Sequence, residues 1–286
     1  MDTTSRFKSP ACSHCSRLAR LMAGKPASAL RRLSGAAAAV IDAVLIYLTW
    51  ELLSAADALP KRYFPSPGSV TSAALNELGS AAFWRLTAQT LQPWAIGLAL
   101  ATVAGTLTGL LLGSSRPAYR FCQAVIEVMR PVPPVVLIPL ALLTLGAGLR
   151  MTVLLVVQGT VWITVLQAVY GIHSLDPVTL QTASSYRLSR WRRLVYVRLP
   201  GALPFLATGL RVTALIALVV TIVAELTGGA AGLGNEILKA EAAGDNTTMY
   251  ALVLLTGVLG VVLNALFAAA ERRLLFWHPS HRQVSA

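Results

Sequence analysis

The chain has 286 residues, 55% hydrophobic and only 13% charged, with 24 Lys and Arg against 12 Asp and Glu and a net charge of +12. Soluble domains carry about 25% charged residues, so this composition, with a mean hydropathy of +0.64, excludes an ordinary soluble protein and points to one integral membrane domain. Three cysteines, Cys12, Cys15 and Cys122, are too few for a disulfide framework.

Residues 1–34 are polar and basic, with Arg6, Lys8, Arg17, Arg20, Lys25, Arg31 and Arg32 against Asp2 alone. They read as a disordered cytoplasmic tail that fixes orientation. No uninterrupted apolar core follows the first basic residues, so a cleaved signal peptide is not expected. Cys12, His14 and Cys15 would supply half a zinc site, but a structural zinc takes four ligands and no metal is expected. Gly24 and Lys25 lack the surrounding pattern of a phosphate loop, with Ala19 at the first glycine position and Pro26 after the lysine. The chain is therefore expected to bind no nucleotide of its own.

Six apolar segments follow. Residues 36–54 form the first span, with Asp42 inside it and Glu51 beside Tyr47 and Trp50 at the interface. A proline-marked loop leads to residues 69–86, which read as a surface helix capped by Ser69. Residues 91–113 are the second span. Gly97, Ala101, Gly105, Gly109 and Gly113 recur every fourth position, a small-residue face that lets another helix backbone approach. The third span, residues 122–146, carries Pro131, Pro133, Pro134 and Pro139. They cannot all sit in a regular helix, and broken backbone at membrane depth is tolerated only inside protein or along a water-filled path. This segment, with Arg130, is thus a candidate pathway or hinge rather than a simple kink, and Glu127 and Arg130 are spaced to pair. Residues 151–172, 205–224 and 249–270 are the remaining spans. Arg211 lies in the fifth and Glu225 opens a glycine-rich turn over residues 225–234. Each is a candidate cavity or gate residue, or equally a structural pair.

Segments assigned to the cytoplasm hold 17 Lys and Arg, the outer segments 5. That asymmetry supports six spans with both termini inside. The expected fold is therefore all-α and polytopic: a basic tail over residues 1–34, a transmembrane domain over residues 35–275 and a short cytoplasmic tail over residues 276–286.

The longest polar interruption is residues 176–204. It holds five arginines (187, 190, 192, 193 and 198), and no carboxylate occurs from residue 177 to residue 224. Asp176 and Pro177 make a strong helix start, and Ser189 can cap a second helix. Trp191, Leu194, Val195 and Leu199 would form the apolar side of that helix, suited to the membrane interface. Pro200 and Pro204 are expected to break the chain before the fifth span. The bland reading is a basic loop that holds topology, but a capped helix joined to two spans is also a handle that a soluble partner can move.

This segment resembles the permease loop of ATP-binding-cassette importers, in the branch handling aliphatic sulfonates, taurine, nitrate and related small solutes. That loop reads Glu-Ala-Ala, three residues, Gly, nine residues, Ile, one residue, Leu-Pro; here the positions hold Gln181, Thr182, Ala183, Arg187, Val197, Leu199 and Pro200. Further landmarks are Pro65 and Pro67, Arg130 to Pro134, Gly146 and Gly148, Ala224 to Leu226, and Gly232 and Gly234. The resemblance covers residues 60–275. It implies a type I importer permease in the bacterial plasma membrane, docked through Asp176–Pro200 to cytoplasmic ATPase subunits that hold ATP and magnesium. It also implies a second permease copy or paralogue, surrounding lipid and an extracytoplasmic solute-binding protein, with no nucleic acid. Gln181 and Arg187 depart from the pattern, and if the latter position needs positive φ, arginine bears a strain that glycine would not.

The alternative of another class is a stand-alone ion-coupled carrier or channel using Asp42, Glu127, Arg130, Arg211 and Glu225. Inverted repeats, a carrier signature, are not apparent. A membrane enzyme is disfavoured, because His14, His173, His278 and His281 lie outside span interiors and form no ligand cluster.

Overall fold

The computed structural model describes residues 27–56, 60 and 63–275, with side chains from Ile41 onward except that of Arg190. Of the disordered tail expected over residues 1–34, residues 1–26, including the Cys12 and Cys15 pair, lie outside the described residues, whereas residues 27–34 are helical; residues 276–286, Lys61 and Arg62 also lie outside the described residues. The chain divides into two compact units after Leu52. The first holds most of helix α1 (Ala27–Ala55), which contains the predicted first span; the second holds every other element.

In that second unit, α2 (Pro67–Leu78) is capped by Ser66, whose hydroxyl accepts from the Ser69 N–H at 3.3 Å. The surface helix thus starts earlier than residue 69, with Pro67 in the first turn where its missing donor costs nothing. It also stops earlier, because Ser80 caps α3 by accepting from the Phe83 N–H at 3.1 Å. Val70 and Ala74 are buried as α2 packs on α11 (Asn246–Leu274).

Helix α3 (Ala81–Gly113) has 33 residues. At 1.5 Å per residue that is about 50 Å, well beyond a hydrocarbon core of about 30 Å, so its polar first turns project past the apolar stretch. Its small-residue face meets α6 (Leu149–His173) as the spacing predicts. A Cβ on Gly97 would lie 2.6 Å from Val156 Cγ1, on Gly105 2.7 Å from Thr164 Cβ, and on Gly109 2.5 Å from Ala168 Cβ. Ala101, the fourth member, is fully buried.

These partner positions advance together along both helices, so α3 and α6 run parallel. Two adjacent parallel helices require the chain between them to recross the membrane. That chain is α4 (Arg116–Met129), a 3-10 turn (Pro134–Leu137) and α5 (Ile138–Leu145), bent by 78° at the break. The proline-rich segment is therefore a broken span rather than a loop returning to the same side. Pro134 sits in the first turn of the 3-10 element and Pro139 in that of α5, so the donors they lack are ones those turns would leave unpaired.

The expectation that Pro200 and Pro204 break the chain is corrected. Helix α8 (Arg190–Arg193) runs through a π-turn (Leu194–Arg198) into α9 (Leu199–Gly228), and together they form one apolar run, Trp191–Gly228. The Leu199 N–H donates to the Leu194 carbonyl five residues back. This wider turn comes where an α-helical Pro200 would lack a donor and press its ring on the preceding turn, so the chain absorbs the proline by loosening. Leu194 and Leu199, expected to face the membrane interface, instead pack with Leu110, Ile172 and Ala202. Trp191 is exposed.

Contacts between Gly171 and Ala202 and between Gly159 and Val220 run in opposite order, so α6 and α9 are antiparallel. Arg211 with Asn264 and Thr208 with Glu271 make α9 and α11 antiparallel too. The ends bearing Arg116, the arginines of residues 187–198, Arg272 and Arg273 thus gather at one end of the bundle. The centre is closed by Trp94, which donates to the Ala214 carbonyl at 2.9 Å and packs edge-on against Phe267. Helix α10 (Leu233–Ala242) lies across the opposite end, followed by Asp245, which caps α11. Hydrogen bonds from Thr248, side chain first and then backbone, hold the Asp245 carboxyl below its ordinary range.

Among the described residues, four helices are long and apolar enough to cross a membrane, and the bent α4–α5 pair makes a fifth.

Gly109→Val should destabilise the protein by about 1–3 kcal/mol, because a side chain there overpacks a backbone contact that cannot relax. Gly257, with nothing within 4 Å of its Cβ position, is the control: Gly257→Ala should be neutral or slightly stabilising. Thermal unfolding in detergent, followed by retention of the monodisperse peak, checks both.

Candidate functional site

The arginine-rich end of the bundle carries the most structured polar element. Asp176 caps α7 (Pro177–Ser185) by accepting from the Val178 N–H at 2.9 Å, and Pro177 occupies the first turn. Gln181 and Thr182 are exposed, whereas Ala183 is buried and anchors the helix to the protein.

The helix ends in two reverse bonds. The Arg187 N–H donates to Ser184 O at 2.9 Å, and the Leu188 N–H donates to Ala183 O at 3.3 Å. This pair of overlapping bonds is the Schellman stop, which places the residue after the cap in the left-handed region, ordinarily as glycine. Here that residue is Arg187, at φ 49, the one non-glycine residue with positive φ among those described. The conformation expected of a glycine survives although the glycine is gone. The second half of the segment follows directly: Ser189 Oγ accepts from the Arg192 N–H at 3.3 Å, Val197 is half-buried, and Leu199 enters the core while Pro200 stays exposed.

A second site lies at the broken span. A cleft of about 410 Å³ is lined by Tyr119, Gln123, Glu127, Arg130, Pro131 and Tyr170, with Ile126 and Leu166 behind them. Two of the predicted pathway residues, Arg130 and Pro131, line it. Pro133 and Pro134 do not; they set the bend, with Pro134 packed on Gly159 so closely that a Cβ there would sit 2.7 Å from the proline ring. The expected Glu127–Arg130 pair is absent. Glu127 instead accepts from Gln123 Nε2 at 2.7 Å, which leaves the Arg130 guanidinium without a carboxylate partner in the cleft. Tyr119, Gln123 and Tyr170 were not singled out from the sequence. Positions 119, 123, 126, 127 and 130 do share one helical face, which is the signal that finds the first two.

Arg211 and Glu225 lie 14 residues apart on α9, about 21 Å at helical rise, and neither lines the cleft. Arg211 donates to Asn264 Oδ1 at 2.8 Å and stands 3.7 Å from Glu271, whose other oxygen accepts from Thr208. Glu225 is fully buried. Its Oε2 accepts from the Gly234 N–H at 2.9 Å and from Thr90 Oγ1 at 3.1 Å, and Thr90 in turn accepts from the Leu233 N–H. The carboxylate thus binds the open N-terminus of α10 to α3 and α9, where a negative group is favoured. Gly232, at φ 158, passes so close that a Cβ would collide with this carboxylate.

Comparison with known proteins agrees with this architecture. Residues 101–276 match the family model described as binding-protein-dependent transport system inner membrane component. The chain is 28% identical over 244 residues to the taurine transport system permease protein TauC of Escherichia coli (strain K12), covering 83% of this chain and 89% of that protein. It is 26% identical over 193 residues to the nitrate import permease protein NrtB of Leptolyngbya laminosa, covering 68% and 69%. In fold it is similar to a chain of a bacterial ABC transporter involved in the import of the acidic polysaccharide alginate, with a TM-score of 0.62 at 14% identity over 86% of this chain and 98% of that one.

Arg187→Gly should raise stability by about 1 kcal/mol, because glycine occupies the left-handed region without the Cβ clash. Arg187→Val should lower it. Glu225→Ala should cost about 1–3 kcal/mol by leaving buried donors unpaired. Unfolding temperatures of the purified variants read all three.

Proposed function

The chain belongs to the family of binding-protein-dependent transport system inner membrane components, and from that premise we propose that it imports a small sulfonate-, taurine- or nitrate-like solute and receives its driving force at residues 176–200. It is a multi-pass inner membrane protein and the permease subunit of an ATP-driven importer. ATP and magnesium belong to a partner ATPase, two copies of which act on a pair of permeases, this chain with itself or with a paralogue. A binding protein delivers the solute to the opposite face.

The observation that carries the reading is α7. It is short, capped at both ends by defined hydrogen bonds, exposed at Gln181 and Thr182 and anchored through Ala183. Its ends join α6 and, through α8, α9, so a displacement of α7 is transmitted to two spans at once. Such rigid-body transfer converts ATPase closure into a switch between inward- and outward-facing arrangements. Gln181 and Arg187 present a neutral and a cationic contact where the resembling loops offer an acid and a glycine, which suits an ATPase with an acidic rim. Arg130 provides a positive charge at the broken span, in a cleft it shares with Glu127 but without an ion pair to it, where the anionic group of such a solute would pass.

The test is uptake of radiolabelled taurine and nitrate by proteoliposomes holding this chain, its ATPase and its binding protein. Substituting Asp176 and Gln181 together by alanine should lower ATP-driven uptake about tenfold while the ATPase keeps its basal turnover. Arg130→Gln should raise the apparent KM for the solute several-fold with the ATPase still coupled. Uptake driven by an ion gradient in vesicles without ATPase would instead establish the stand-alone carrier.

A further inference from the structure

The π-turn places two arginines where an α-helix would not. Residues five apart on an α-helix point about 140° away from each other, whereas a register closed by bonds to the fifth residue brings them onto one face, as an α-helix does for residues four apart. Arg193 and Arg198 are such a pair, and both line one pocket of about 620 Å³ with Ser114, Ser115, Leu111 and Trp191. The Nε of each is buried and has no hydrogen-bond partner. No carboxylate lines the pocket, and the chain itself has none between residues 177 and 224. Two like charges that line one recess repel each other, and an anion between them removes that cost.

A second feature points the same way. Ser115 is the cap residue of α4, yet its side chain makes no capping bond. The pocket therefore adjoins the first turn of a 14-residue helix whose N–H groups have no side-chain cap, and such an end favours an anion. The rim is apolar and open: Leu111, in the last turn of α3, is 64% exposed and Trp191 is 72% exposed. Both stand at the end of the bundle that the basic-residue rule makes cytoplasmic. A tryptophan at such a boundary fits the level of lipid headgroups.

We infer that this pocket binds the phosphate of an anionic phospholipid from the inner leaflet, Arg193 and Arg198 holding the headgroup while an acyl chain runs along Leu111. A free phosphate has the same head chemistry but nothing to place on the apolar rim. Basic recesses between spans on the cytoplasmic side are suited to such headgroups. The site is separate from the α7 contact surface and from the cleft at Arg130, and it lies on the segment joining α7 to α9, so its occupancy would stiffen the path along which movement of α7 passes.

The test uses the full-length protein in neutral detergent, with quenching of the Trp191 signal (defined by difference from Trp191→Phe) by phosphatidylglycerol or phosphatidylcholine carrying brominated acyl chains. Brominated phosphatidylglycerol should quench at about tenfold lower concentration than brominated phosphatidylcholine. That preference should vanish in the Arg193→Gln, Arg198→Gln double variant and persist in Arg192→Gln, whose exposed side chain lies off the pocket. Arg193→Lys and Arg198→Lys, measured singly, should each lose part of it, which separates loss of the fork from loss of the fold. Equal quenching by both lipids in the unaltered protein would overturn the inference, as would a preference that survives in the double variant. Full competition by millimolar inorganic phosphate would assign the pocket to a soluble anion instead. Loss of the preference whenever the ATPase is bound would assign it to the protein partner.

Discussion

The contact on which the rest of the second unit depends is the backbone approach of α3 and α6. In lipid there is no hydrophobic gain from pressing two apolar helices together, so association rests on packing. Gly97, Gly105 and Gly109 let the α6 backbone and its Val156, Thr164 and Ala168 side chains fill the space a Cβ would take. Because the two helices are parallel, this contact also fixes topology. The chain between them has to cross the membrane in a broken form, and α9 and α11 then find their places as antiparallel neighbours.

A bundle joined by packing alone would slide, and polar ties set its axial position. At one end, Glu225 and Thr90 hold the N-terminus of α10 to α3 and α9. Near the other, Arg211, Asn264, Thr208 and Glu271 join α9 to α11. Both ties involve groups whose isolation in lipid would be costly, so each removes alternatives as well as adding attraction. They leave α7, α8 and the π-turn as the part of the second unit held mainly by local capping bonds and a small apolar cluster. That is the place where a modest external force can act without dismantling the core.

Arg187 shows how a conformation can outlive the residue type that ordinarily supports it. The two reverse bonds that end α7 need a left-handed residue, and the packing of Ala183 and the start of α8 hold the chain there whatever side chain is present. The cost is borne locally and is small beside the bonds it preserves. The π-turn seven residues later is a second local irregularity with a sequence cause, Pro200, and its consequence is that Arg193 and Arg198 share one face and one pocket.

Periodicity and breakers in the sequence by themselves determined the membrane class, the small-residue face of α3, the broken third span and the cap at Asp176, whereas a positive φ at position 187 stood only as a condition attached to the glycine of the resembling loop. Each is a local property: spacing around one helix, a missing donor or a steric limit on one residue. Helix ends were less legible where competing serines stood close together, as with Ser66 and Ser69, or where a proline could be absorbed, as with Pro200 and Pro204. Only the tertiary structure decided that α3 and α6 run parallel, that Glu127 turns to Gln123 rather than to Arg130, and that Glu225 binds α10 while Arg211 binds α11. Those outcomes depend on which groups from distant parts of the chain arrive within hydrogen-bond reach, and no spacing within one segment encodes that.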